Sequence, residues 1–211
     1  PPTRTRRQRQ MCIRDRTRDE YLSDNPAVWL GRVIDVSEGV AMTVLEGLQR
    51  GDKIDQILKI PLISRKLRER KSEREKLTEI IAERTVVIDR IAIARLDGLG
   101  MRSNGYHVTA FAGDSCDACI VIHGDIGASF GDDTGYPVSA SFYTNSFLHR
   151  EGGIYDLTGL ATHFDPDGGG HENACGCRIK PLDKGRVSNR NVTEEDVKEN
   201  ISEWLRLWSE R

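Results

Sequence analysis

Gly168-Gly169-Gly170-His171-Glu172-Asn173-Ala174-Cys175-Gly176 holds more chemistry per residue than any other stretch of this chain. Three consecutive glycines remove every Cβ from a turn, which opens the backbone N–H groups to close approach by an anion. A helix beginning at His171 would aim its positive end at the same spot. His171 and Asn173 add side-chain donors. The stretch suits a phosphate or a carboxylate. A flexible surface loop or a helix–helix turn would use the same residues, and spacing alone leaves both readings open.

Working upstream, Asp165-Pro166-Asp167-Gly168 is a strong breaker. It ends a helix over Ile154–Phe164 that carries Leu157, Leu160, Ala161 and Phe164 on one face. Before that the pattern is that of strands. Thr85–Leu96, Tyr106–Ala112, Ala118–His123 and Val138–Thr144 are short runs rich in Val, Ile and small residues. Glycine and aspartate clusters separate them at Asp97-Gly98, Gly113-Asp114, Gly131-Asp132-Asp133 and Gly135. Downstream, Arg178-Ile179 reads as a last short strand. Thr193-Glu194-Glu195-Asp196 then opens a final helix with Val197, Ile201, Trp204, Leu205 and Trp208 along one apolar face. These elements give an α/β class: a small mixed β-sheet of about five strands flanked by helices and preceded by linker helices.

The linker helices lie in the first third. Ser37 is placed to cap a helix whose Val40, Ala41, Val44, Leu45 and Leu48 share a face, and Gly51 ends it. A shorter helix covers Asp52–Lys59. Pro61 then starts a long run to Arg84 in which Lys66, Arg68, Glu69, Arg70, Lys71, Glu73, Arg74, Glu75 and Lys76 crowd out apolar residues. It predicts an exposed helix laced with i,i+4 pairs rather than a phosphate-binding surface.

At 211 residues and 37% apolar content the chain has enough material for one domain with extensions or two small ones. The formal charge of −2 hides an asymmetry. Residues 1–18 hold seven arginines and one acid, so they carry +6 and residues 19–211 carry −8. Arg6-Arg7-Gln8-Arg9-Gln10-Met11-Cys12-Ile13-Arg14-Asp15-Arg16 resembles the conceptual translation of a transposon-end sequencing adaptor, so it is left out of fold reasoning. A disordered basic tail is the other reading. The natural chain is expected to enter near Thr17. The acidic remainder argues against a broad duplex-binding face, which needs a basic footprint.

Other chemistries are weaker. Cys116-Asp117-Ala118-Cys119 and Cys175-Gly176-Cys177 lack zinc-ligand spacing and suit small buried residues instead. The loop opened by Asp165 has Gly176 where a calcium loop needs a bidentate Glu at its twelfth position. There is no nucleophile elbow, Walker loop or dinucleotide fingerprint. His107 and His123 sit in apolar runs and read as packed or edge residues. With no signal peptide or apolar span, a reduced cytoplasmic setting is expected and a membrane partner is not.

In order and spacing, Val138-Ser139-Ala140-Ser141, the Ile154–Ala161 run, Phe164 and the Gly168–Gly176 stretch resemble the C-terminal, DHH-associated domain of DHH phosphoesterases. The match covers about residues 85–180. The resemblance implies a compact α/β domain that binds the nucleotide or phosphate end of a substrate, and a separate N-terminal domain that holds manganese through aspartates and histidines. Carried over, Gly168, Gly169, Gly170 and His171 fall on the substrate-binding turn with Asn173 close by, and Ser139 and Ser141 on the strand beside it. Members often have arginine near the position of Ser141, so the resemblance implies either a weaker phosphate clamp here or one supplied by another residue such as Arg150. No Asp-His-His triplet occurs in this chain.

The resemblance thus divides the chain into an adaptor-derived tail (1–16), linker helices from the end of a truncated DHH domain (17–84), the DHH-associated domain (85–182) and a C-terminal helix packing on it (183–211). It implies the substrate-binding half of a manganese-dependent phosphoesterase, inactive alone. The substrate would be a short oligonucleotide, a nucleotide bisphosphate, a cyclic dinucleotide or polyphosphate. The competing expectation is a stand-alone nucleic-acid-binding module. Both a monomer and a homodimer are compatible with the resemblance.

Overall fold

The structure is a computed structural model, and it describes residues 17–34, 38–128 and 135–211. The chain divides into two compact units, residues 16–79 and 80–211, and the division falls within a long helix.

The first unit is helical: α1 Arg18–Leu22, α2 Pro26–Ile34, α3 Glu38–Gln49, α4 Ile54–Ile57 and the start of α5 Pro61–Arg84. Thr17 caps α1 in a reciprocal capping box with Glu20. Leu30, Val33, Val40, Val44, Ile57 and Ile63 form its core. The core-facing stripe of α3 is narrower than the sequence pattern implies. Val40 and Val44 are buried, but Leu45 and Leu48 are about half exposed. Gly47 takes their place, because a Cβ there would meet the Ile57 side chain at 2.9 Å. The cap expected at Ser37 lies outside the described residues. Helix α5 is charged along its length and carries the ion pairs Lys66–Glu69 and Arg70–Glu73.

The second unit is built on a six-stranded sheet of order β1-β2-β3-β4-β6-β5, with β1 Thr85–Ile88, β2 Ile91–Arg95, β3 Ala118–His123, β4 Ser139–Thr144, β5 Gly169–His171 and β6 Ala174–Arg178. Only β2 and β3 pair in parallel. The sheet is mixed, as the sequence implies, with one strand more than the five it suggests. Thr85–Leu96 is a hairpin rather than one strand, turning at Asp89 and Arg90, whose φ values of +44° and +64° give the twist that tight hairpins need.

Two readings are corrected. Tyr106–Ala112 is helix α6 (Gly105–Ala112), not a strand. A parallel β2–β3 pair requires a crossover, and α6 supplies it. Its buried Gly105, Val108 and Thr109 follow helical spacing despite their β-branched and aromatic neighbours. Gly105 is needed because a Cβ would sit 2.3 Å from the Tyr143 ring. The helix expected over Ile154–Phe164 shrinks to α7, Thr158–Ala161.

Two layers cover the sheet. Helix α6 packs on β2, β3 and β4 from one side. The other side holds the core: Ile91, Ile93, Ile120, Ile122, Ala140 and Phe142 meet Leu157 and Leu160 and the C-terminal helix α8, Glu194–Ser209. Thr193 and Asp196 form the capping box expected at its start. Trp204 meets Phe142 edge-on at 5.0 Å, and Trp208 meets Tyr155 at 5.5 Å while donating through Nε1 to the Asp89 carbonyl. Asp196, buried, accepts from Arg190, from Leu182 N–H and from Thr193, which ties the small hairpin β7 Leu182–Asp183 and β8 Arg186–Val187 to α8. Trp204→Ala is expected to cost about 3–5 kcal/mol through lost burial and the cavity left behind. Denaturant unfolding reads this directly, and a loss under about 1 kcal/mol would contradict the packing assigned to α8.

Candidate functional site

Strand register decides which residues share a face. His123, Ser139 and Arg178 form one row across β3, β4 and β6. Val121, Ser141, Gly176 and Gly169 form the next, and Cys119, Tyr143, Ala174 and His171 a third. Ser139, Ser141, Gly169 and His171 therefore lie on one side of the sheet, the side on which α6 covers β2 to β4. Across β4, β6 and β5 the distance from Ser141 to Gly169 is two strand spacings, about 10 Å. Ser139 and Ser141 are half-buried, and neither hydroxyl is engaged within the described residues. Gly170 and His171 are exposed.

The Gly168–His171 stretch does not start a helix. It runs into β5, an edge strand, and Cys175 lies in β6 rather than in a small-residue helix. No helix end therefore faces an anion at this stretch. What remains is an edge strand that, among the described residues, pairs on one side only, with β6. Glycine is required here for two reasons. A Cβ on Gly168 would sit 2.4 Å from the Ala161 carbonyl oxygen, where α7 ends. Gly170, at φ +140°, would place one 2.7 Å from the Ala174 carbonyl. At Gly169 a Cβ would meet nothing within 4 Å, so the backbone there faces open space.

Asp165 holds this turn. It is 2% exposed. Its carboxylate accepts from Arg178 N–H at 2.8 Å and from Lys180 at 2.9 Å, while its carbonyl accepts Gly168 N–H at 2.8 Å. Burial works against the charge, but the Arg178 N–H and the Lys180 ammonium outweigh it and hold the carboxyl below its ordinary range.

Asn173 has a different place from the one its donors suggest. Its Oδ1 accepts Gly153 N–H at 2.7 Å and the Thr144 hydroxyl at 3.0 Å, and its amide donates to Glu172. It closes the loop after β4 rather than pointing spare groups outward. Arg150 is exposed in that same loop, outside the sheet. The register instead puts Arg178 on the serine face beside Ser139, a position that only strand pairing reveals. His123 joins the same row, and His107 lies in α6 rather than in a strand.

Metal and thiol chemistry find no support among the described residues. No group of three His, Cys, Asp or Glu side chains converges there, so no manganese step is derived from them. Burial pushes the thiols of Cys116 up to about 11 and of Cys175 and Cys177 up to about 12, away from thiolate character at neutral pH. Among the described residues no helix is long and apolar enough to cross a membrane.

The candidate site is the glycine edge of a mixed sheet and the serines that share its face, in a fold that agrees with the DHH-associated domain the sequence resembles. No family model and no curated protein sequence matches the chain. Among solved structures, the chain shares the fold of the pGpG-specific phosphodiesterase PggH from Vibrio cholerae, with a TM-score of 0.65 at 18% identity over 90% of this chain. It spans 60% of that protein's length. An exopolyphosphatase-related protein from Bacteroides fragilis also matches over 82% of this chain and 44% of its own, at 18% identity and a TM-score of 0.44, too low to bear on the site.

Asp165→Ala should destabilise the second unit by about 2–3 kcal/mol, since it leaves a partly buried N–H and an ammonium without their acceptor. An unfolded aspartate titrates near 4 and the folded Asp165 below it. Its stabilisation is therefore whole above about pH 4 and is lost as pH falls through the folded value. Unfolding curves from pH 7 to pH 2 should show the gap between wild type and variant closing at the acid end.

Proposed function

We propose that this chain supplies the substrate-binding half of a manganese-dependent phosphoesterase that hydrolyses phosphodiester or phosphate bonds of short oligonucleotides or small nucleotides, in a cytoplasmic setting. The observation that carries this is the row geometry: an edge strand of glycines, approachable at Gly169, shares a sheet face with His171 and with the hydroxyls of Ser139 and Ser141, which no described residue engages. A fold shared with a phosphodiesterase supports the substrate class. Backbone N–H groups, hydroxyls and an imidazole are donors that suit phosphate oxygens.

Hydrolysis itself is assigned to residues outside this chain. A bound metal would supply a hydroxide nucleophile and charge stabilisation, and the described residues offer no cluster to hold one. What this chain's residues do is bind and orient. A stand-alone nucleic-acid-binding module is the second reading, and the −8 on residues 19–211 weighs against it.

Binding of a mononucleotide, a dinucleotide and a long single strand to the full chain, each at 50 and 200 mM salt, separates the two. The phosphoesterase half should bind the dinucleotide and the long single strand within about twofold of each other and lose little affinity with salt. A nucleic-acid module should tighten with length and weaken steeply, by orders of magnitude where many phosphates are contacted. With manganese and short oligonucleotides the chain alone should show no turnover, and robust turnover would refute the assignment.

A further inference from the structure

His123 ends β3 with its side chain on the serine face, and it is only 8% exposed. Its Nδ1 is buried with no hydrogen-bond partner among the described residues. Leaving a buried polar nitrogen unpaired is costly, and such atoms in a well-packed site call for an explanation.

The surroundings supply one. Immediately after His123, Gly124 (φ +82°) lies so close to the chain segment preceding β4 that a Cβ would meet the Pro137 and Tyr136 carbonyl oxygens at 2.6 and 2.7 Å. The Gly124 carbonyl also accepts Gly98 N–H, which pins the start of the loop between β2 and α6. Three segments thus converge on the end of β3. The β2–α6 loop carries Arg102, whose guanidinium lies over the Tyr136 ring at 4.2 Å. Among the described residues no carboxylate pairs with it. Its charge reaches His123, where burial first and then Arg102 disfavour the protonated imidazole. The next residue along the row is Ser139, with its hydroxyl unengaged.

We propose that His123 Nδ1, the Arg102 guanidinium and the Ser139 hydroxyl form a second anion subsite that takes a phosphate group, one row along from the glycine edge strand. A guanidinium held on an aromatic platform keeps its fork of donors in plane, and among the described residues none of Arg102's partners is a counter-ion. An imidazole nitrogen with no partner among the described residues is the group that a phosphate oxygen would complete. This deepens the proposed function: a ligand reaching from Gly169 to His123 carries at least two anionic groups, as a dinucleotide or a nucleotide with a terminal phosphate does.

The test uses the full chain with inorganic phosphate, a nucleoside and its 5′-monophosphate. Phosphate should shift the His123 Nδ1 resonance in a saturable way, the monophosphate should do the same, and the nucleoside should not. Arg102→Gln, an exposed substitution that leaves the core intact, should weaken phosphate binding about tenfold, the scale of one lost charge-assisted hydrogen bond. Lys198→Gln, on the helix that covers the opposite face, should change nothing. An unmoved His123 resonance at saturating phosphate, or wild-type affinity in Arg102→Gln, overturns the subsite. The two ideas fail separately. Nucleotide binding that shifts only the glycine-strand amides keeps the proposed function and removes this subsite, whereas phosphate binding at His123 without any nucleotide affinity does the reverse.

Discussion

A single buried carboxylate determines the shape of the glycine edge. Asp165 receives the N–H of Arg178 at the far end of β6 and takes the Gly168 N–H on its carbonyl. One residue thus joins the start of the glycine strand to the strand it pairs with. Without it, the glycine stretch is held mainly by its pairing with β6, and glycine has the largest backbone conformational freedom of any residue type. The Lys180 ammonium completes the arrangement and keeps the carboxylate charged although it is 2% exposed.

From that constraint the site follows by register. Once β5 is tied to β6, and β6 to β4, alternation of side chains puts Ser141 and Gly169 in one row, Ser139 and His123 in the next, and His171 one row to the other side. The opposite faces of the same strands carry Ala140, Phe142 and Cys175 into the core against α8. Binding and stability therefore use alternate residues of β4. A register slip of one residue would exchange them, burying serines and exposing Phe142.

Much of this was legible in the sequence, and the failures have physical causes. The glycine run, the serine pair and the capping box at Thr193 are local signals, and the structure places each in an ordered element. In the sequence of Gly105–Ala112, β-branched and aromatic residues outweigh a weak helical period, so the stretch resembles a strand. Its true determinants, a parallel pair needing a crossover and a glycine seated on Tyr143, are not local. The same holds for the glycine stretch, where strand pairing with β6 replaced the helix its small residues suggested. Arg178, His123 and Arg102 could not be assigned to the site from spacing, since only strand pairing and loop packing bring them there. Asn173 shows the reverse: a donor-rich residue whose carbonyl is consumed by Gly153 and Thr144.

The central claim is that the edge strand at Gly169 is where a nucleotide's phosphate sits. Backbone amide resonances of the full chain, followed during titration with a 5′-mononucleotide, test it most directly. Saturable shifts at Gly169, Gly170 and His171, with little change along α5, are the expected result. Shifts confined to the charged surface of α5, or absent from the glycine strand at saturating nucleotide, would contradict it.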